Sequence, residues 1–115
     1  NNGKITSISN MIIKMGNYII NNGIIASGGS ATIQSDSSNI TNNSVIYANN
    51  DLILKSNNNI TNNQNAQIIT QDNLTIEGIT NGTKSKSFTN HAGEITAAGN
   101  IVINTENFTN KGIDQ

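Results

Sequence analysis

The chain repeats one arrangement of apolar and polar positions five times along its length. An apolar residue is followed six positions on by a second, and two beyond that by a third: Ile5, Met11, Ile13; Ile25, Ala31, Ile33; Ile46, Leu52, Leu54; Ile68, Leu74, Ile76; and Ile95, Ile101, Ile103. A second series keeps step with the first, an Ile or Phe with Asn two residues later: Ile19 and Asn21, Ile40 and Asn42, Ile60 and Asn62, Phe88 and Asn90, Phe108 and Asn110. The step between copies is 20 to 22 residues, stretched once to 27, and a fixed period of this size marks a stacked repeat. The interval of two places the last two apolar residues of each copy on one face of a strand, with the residue between them pointing away. A helix would require recurrence at three and four residues, which is absent. The pattern therefore predicts an all-β chain, a parallel β-helix (β-solenoid) of about five coils and roughly 20–22 residues per coil, filling residues 1–115 as one rod-like unit.

Between the first and second apolar positions of each copy lie polar pairs: Ser9-Asn10, Gly29-Ser30, Asn50-Asp51, Asp72-Asn73 and Gly99-Asn100. Gly and Asn tolerate positive φ, so these pairs read as sharp corners in the left-handed region. Asn2-Gly3 and Asn22-Gly23 would ordinarily suggest hairpins, but they recur at one place in successive copies, which repeat by translation and not by reversal. Each coil should then lie parallel on the one below, about 4.7–4.9 Å away. The fifteen apolar residues of the first series form its interior, with Ala31 as a thin spot. Asn21, Asn42, Asn62, Asn90 and Asn110 should stack into a ladder, each amide both donating and accepting. Such coils bury their interior only against neighbours and so need caps at free ends; none is visible in the sequence.

One copy is longer than the rest. Residues 77–87, from Glu77 to Ser87, carry an Asn81-Gly82 pair between short flanks, which reads as a hairpin or loop projecting from the coils. Asn81, Lys84 and Lys86 make it the candidate contact loop, suited by its local positive charge to an acidic partner or glycan.

Composition narrows the alternatives. Apolar residues make up 34% and charged residues 11%, with no Pro and no Cys. That apolar content is too small for a large globular core, yet disordered chains are poor in β-branched residues and rich in charge or Pro. Asn is about a fifth of the chain, and its fixed register with Ile separates it from a prion-like tract. The net charge is −1 and the six cations are all Lys, which argues against nucleic acid as a partner. No apolar run approaches the roughly 20 residues that span a bilayer. Asn1-Asn2-Gly3-Lys4 has no signal-peptide character, and the chain reads as a piece of a longer protein.

Catalytic and metal chemistry find little footing. His91 is the only histidine and reads as a substituted turn residue, since one His without Cys is a poor zinc set. The carboxylates Asp36, Asp51, Asp72, Glu77, Glu94, Glu106 and Asp114 are scattered over the copies, with Asp51 and Asp72 close enough in register to approach one another. Gly28-Gly29 lacks the Asp and Gly period of calcium-binding nonapeptides. An ice-binding face would need outward Thr in register, but the residues between the paired inward positions are Ile12, Thr32, Ile53, Thr75 and Val102. No cofactor is expected, no catalytic residue is assigned, and the chain is read as not an enzyme. A polysaccharide-acting β-helix enzyme or a glycan-binding module is the alternative.

The last copy, from Gly93 to Gly112, runs Gly-Glu-Ile-Thr-Ala-Ala-Gly-Asn-Ile-Val-Ile-Asn-Thr-Glu-Asn-Phe-Thr-Asn-Lys-Gly. It resembles the repeat of the filamentous haemagglutinin family, which includes shafts of contact-dependent growth inhibition effectors and related adhesins. The likeness extends along the chain but is looser in the other copies, where Ser, Asp or other Gly variants replace the Gly99-Asn100 corner. It implies a right-handed parallel β-helix, export by two-partner secretion through an outer-membrane transporter, and display on, or secretion from, a Gram-negative cell. The family's secretion domain and C-terminal toxin have no counterpart here. The implied role is a structural or adhesive shaft whose partners are neighbouring coils of the same exoprotein and a surface receptor or glycan on a host or target cell.

Overall fold

In the computed structural model, which describes residues 1–113, the chain winds through fifteen short strands numbered in chain order. They fall into three parallel sheets of five strands each. The first sheet holds β1 (Lys4–Ser7), β4 (Ile24–Ser27), β7 (Val45–Ala48), β10 (Gln67–Thr70) and β13 (Glu94–Ala97). The second holds β2 (Met11–Met15), β5 (Ala31–Ser35), β8 (Leu52–Ser56), β11 (Leu74–Glu77) and β14 (Ile101–Ile103). The third holds β3 (Ile19–Asn21), β6 (Ile40–Asn42), β9 (Asn59–Asn62), β12 (Ser85–His91) and β15 (Thr105–Lys111). Each coil contributes one strand to each sheet, and the product is a β-solenoid of about five coils.

Register turns the sequence period into packing. Ile5, Ile25, Ile46, Ile68 and Ile95 are successive partners across the first sheet. Two columns cross the second, Met11 to Ile101 through Ala31, Leu52 and Leu74, and Ile13 to Ile103 through Ile33, Leu54 and Ile76. The Ile and Phe residues of the second series form a fourth column on the third sheet, where Ile19, Ile40, Ile60 and Phe88 are buried. Phe88 and Phe108 continue it with rings 5.8 Å apart and 4° from parallel. Full burial of a side chain of this size contributes about 1.5–3 kcal/mol. Ala31 sits buried between Met11 and Leu52, so its small size thins the column without opening it.

The interior expected from the pattern is not uniform. Ile25, Ala31, Ile33, Ile46, Leu52, Leu54, Ile68, Leu74 and Ile76 are at most 1% exposed, and Met11 is also buried. Ile5 and Ile101, in the end coils, are 39% and 46% exposed, while Ile13, Ile95 and Ile103 are only partly buried. A coil with a neighbour on one side alone covers half of each column, which is why these five differ from their interior counterparts. Nor is the described chain a rod. Its extents are 38 × 32 × 28 Å, because five coils at about 4.8 Å per step rise no further than the coil is wide.

The corner expectation also needs correction. Among the described residues, positive φ occurs only at Asn65, Ala92 and Gly82, and at none of the five polar pairs. At the two corners that carry Gly, close approach accounts for it: a Cβ on Gly29 or Gly99 would lie 2.4 Å from the side-chain oxygen of Asn10 or Asn73 beneath it. The Asx residues of the corners have a directional role instead. Asn10 Oδ1 accepts from Ser30 N–H at 2.9 Å, Asp51 Oδ1 from Asn73 N–H at 3.2 Å, and Asn73 Oδ1 from Asn100 N–H at 2.8 Å. Hydroxyl groups also pin corners, as Ser27 Oγ donates to Ser9 O at 2.8 Å and Ser56 Oγ to Ser38 O at 2.6 Å.

The Asn ladder runs inside the stack. Asn21 Nδ2 donates to Asn42 Oδ1 at 3.0 Å, and Asn42 to Asn62, Asn62 to Asn90 and Asn90 to Asn110 each at 2.9 Å. Each interior amide is oriented by backbone carbonyls that its Nδ2 also meets, such as Val45 O for Asn21 and Gln67 O for Asn42. Asn1 donates to Asn21 at 3.1 Å and begins the series, whereas Asn110 is exposed in the last coil. A second ladder, on the surface, runs the other way: Asn63 donates to Asn43 at 2.7 Å, Asn43 to Asn22 at 2.8 Å and Asn22 to Asn2 at 3.0 Å.

Three outcomes follow from this architecture. Leu54→Asp should abolish the β-sheet circular dichroism signal, because a buried unpaired carboxylate costs several kcal/mol against a total stability of about 5–15 kcal/mol; Ile53→Asp, at an outward position, should keep it, and equal loss would refute the register. Asn62→Ala should lower the melting temperature, each buried acceptor left bare costing about 1–3 kcal/mol, while Asn22→Ala in the surface ladder should leave it nearly unchanged. Gly23→Ala should destabilise strongly, since its Cβ would meet Gly3 O at 2.0 Å, whereas Gly3→Ala meets nothing within 4 Å; urea titration of the pair distinguishes them.

Candidate functional site

The one departure from regular coiling is built on an ion pair. Parallel register sets Glu77 beside Lys55, both at outward positions of the second sheet. Their side chains are nevertheless only 8% and 12% exposed, with Lys55 Nζ 3.6 Å from Glu77 Oε2. Residues 78–84 fold back over them. Gly82 N–H donates to Glu77 Oε1 at 3.0 Å, and Lys55 Nζ donates to Asn81 Oδ1. Two charges withdrawn from water are tolerable only with such pairing, so the loop and the pair require each other.

The loop's own backbone is closed by two hydrogen bonds, Thr83 N–H to Thr80 O at 3.0 Å and Gly78 N–H to Thr83 O at 2.9 Å. Asn81 and Gly82 are the central residues of that turn, and Gly82 has φ of +79°, the third-position geometry of a type II turn. Ile79 N–H donates to Asn57 Oδ1 at 2.9 Å, tying the loop to the coil beneath. The expected insertion 77–87 is thus narrower than its sequence suggested. Glu77 ends β11 and Ser85–Ser87 belong to β12, which pairs in parallel on both sides, so no hairpin forms.

Of the candidate contact residues, Asn81, Lys84 and Lys86 are all exposed. Asn81 is engaged by Lys55, while Lys84 and Lys86 carry the positive charge outward. Composition could not reveal Lys55 and Glu77 as partners, because they are 22 residues apart and meet only through the coil register. Once the period is known, the pairing is a matter of counting.

The remaining singled-out residues do not converge. His91 closes β12, half-buried and in register with Lys111, within a strand and not in the turn expected for it. Asp51 is spent on the Asn73 amide and is offset by one position from Asp72, so the two carboxylates are not stacked. Asp36 takes Gln34 Nε2 at 2.7 Å and lies 4.0 Å from Lys14 Nζ. Asp114 lies outside the described residues. Among the described residues, no three His, Cys, Asp or Glu side chains gather where a metal could be held.

A regular outward Thr column does exist, on the third sheet and not on the second, where Ile12, Thr32, Ile53, Thr75 and Val102 lie. Thr41, Thr61, Thr89 and Thr109 are successive partners on the third sheet, with Ile20 completing the column. Asn59, Ser87 and Asn107 run beside it in the same register. The result is a polar face of stacked hydroxyls and amides about 4.7–4.9 Å apart.

No family model, curated protein or solved structure matches this chain.

Removing one member of the Lys55–Glu77 pair leaves the other charge covered and alone. Glu77→Ala should therefore speed hydrogen exchange at the Gly82 and Gly78 amides and lower stability by about 3–5 kcal/mol at most. The double change Lys55→Met with Glu77→Leu should recover much of that loss. Additive losses in this cycle would show that the pair is not a coupled unit.

Proposed function

We propose that this chain is a structural and adhesive shaft segment of a large bacterial surface exoprotein, carrying a receptor-binding or toxin region away from the cell. The supporting observation is that inward groups are consumed within the stack: four apolar columns pack coil on coil, and no buried side-chain N or O among the described residues lacks a hydrogen-bond partner. Such a stack grows by adding coils without redesign, which suits a spacer. Its outward positions are not bound by that inward packing, and the loop 78–84 is where specificity is added at least cost to the coils. The filamentous haemagglutinin-like last copy supports export through an outer-membrane transporter and a Gram-negative cell surface, with a receptor or glycan on the facing cell as partner. A glycan-binding module is the second reading, favoured by the Thr41–Thr109 polar face.

Antibody raised against the chain should label intact producing cells and lose that label on external protease treatment. Labelling confined to lysed cells would overturn surface display. The loop can be tested separately, since nine residues lie between Glu77 and Ser87 where three lie between their register partners Lys55 and Asn59. Deleting residues 79–84 restores the regular length. Within the full-length protein that deletion should preserve the sheet signal and reduce cell binding; unchanged binding would remove the loop from the contact surface, and Thr61→Val with Thr89→Val would then test the polar face.

A further inference from the structure

Three groups of complementary reactivity meet beneath the loop. Lys55 brings a primary amine, Asn81 a carboxamide whose oxygen that amine contacts, and Glu77 a carboxylate 3.6 Å from the same nitrogen. They come from β8, the loop and the end of β11, and the fold holds all three at once. Lys55 and Glu77 are largely covered, which limits competing water. A carboxamide is a poor acceptor in solution, but fixing an amine against it replaces a bimolecular encounter with a positioned one, a gain that reaches many orders of magnitude in effective concentration.

We propose that Lys55 and Asn81 become joined by an intramolecular isopeptide bond, formed by the chain itself with Glu77 as acid–base catalyst. The Glu77 carboxylate takes a proton from the Lys55 ammonium, freeing the Nζ lone pair. Nζ adds to Asn81 Cγ, a C–N bond forms, and the carbonyl π electrons move to Oδ1. Protonated Glu77 then delivers its proton to Nδ2. The Cγ–Nδ2 bond breaks as the carbonyl reforms, and nitrogen leaves as ammonia, which carries off the second proton lost by Nζ. Ammonium and carboxamide enter; a secondary amide and ammonium leave. Nothing is oxidised, and no co-reactant is needed.

The neighbouring Gly82 nitrogen could attack the same carbon to give a cyclic imide that hydrolyses to aspartate or isoaspartate. Its lone pair is delocalised into the peptide bond, and its N–H is held by Glu77 Oε1 at 3.0 Å. The lysine amine is the stronger nucleophile. The bond would close a span of 26 positions and fasten the loop to the coil beneath it, so that a protruding element keeps its shape under load.

Intact-mass spectrometry and tryptic mapping of the purified 115-residue chain, alongside Lys55→Arg, Glu77→Gln and Asn81→Ala, test this directly. The unaltered chain should be lighter than its sequence by one ammonia, and should yield a branched peptide joining Lys55 to Asn81 with no cleavage after Lys55. All three variants should keep full mass; Asn81 is exposed, so Asn81→Ala should also keep the fold by circular dichroism. Full mass in the unaltered chain after prolonged incubation overturns the proposal, as does conversion of Asn81 to aspartate or isoaspartate without a branch. An ammonia loss persisting in Glu77→Gln would overturn the role of Glu77.

Discussion

Parallel pairing in register is the constraint on which everything else in this molecule depends. When each coil lies on the one below with no offset, every side chain meets its own counterpart, and the sequence at one position must be compatible with itself. Ile on Ile, Leu on Leu and Phe on Phe satisfy that condition by packing. Most polar residues do not, because like groups repel or leave donors facing donors. Asn satisfies it along a whole column, as its carboxamide carries a donor on one side and an acceptor on the other. That is the physical reason a chain with so little charge carries so much Asn, and why it uses Asn both inside and outside the stack.

The two ladders show how the same residue is placed in opposite surroundings. Inside, Asn42 is held by carbonyls of its own and the next coil, and its amide cannot turn over without setting oxygen against oxygen. Outside, Asn43 has no such enclosure, and its ladder runs in the reverse sense. Where two charged residues are adjacent in a column, as Lys55 and Glu77 are, they are of opposite sign. That pair then permits a loop to fold down upon it. The irregular element of the molecule is therefore built from the same stacking rule as the regular ones.

Period, strand identity and column membership were legible in the sequence because translation by one coil repeats them, and the interior residues from Ile25 to Ile76 follow directly. Ile5, Ile101 and Asn110 broke the expectation because a pattern of residue types says nothing about whether a neighbouring coil is present. The corners differ from expectation for another reason. Gly at position 29 or 99 looks the same in sequence whether it serves positive φ or close approach, and only the contact of its missing Cβ separates the two. The loop's existence was visible as added length and the Lys55–Glu77 pairing follows from the period, but that the loop folds down over the pair and covers it was not visible, since that depends on hydrogen bonds within and beneath the loop.

The central claim is the register itself, and engineered disulfides measure it most directly. A disulfide needs Cα atoms about 4.4–6.8 Å apart, a condition met by the register partners Thr41 and Thr61 on the third sheet and not by the diagonal pair Thr41 and Asn63. Thr41→Cys with Thr61→Cys should oxidise fully to an intramolecular disulfide with the fold intact, and Thr41→Cys with Asn63→Cys should remain reduced under the same conditions. Ready oxidation of the diagonal pair, with the register pair left as free thiols, would contradict the account.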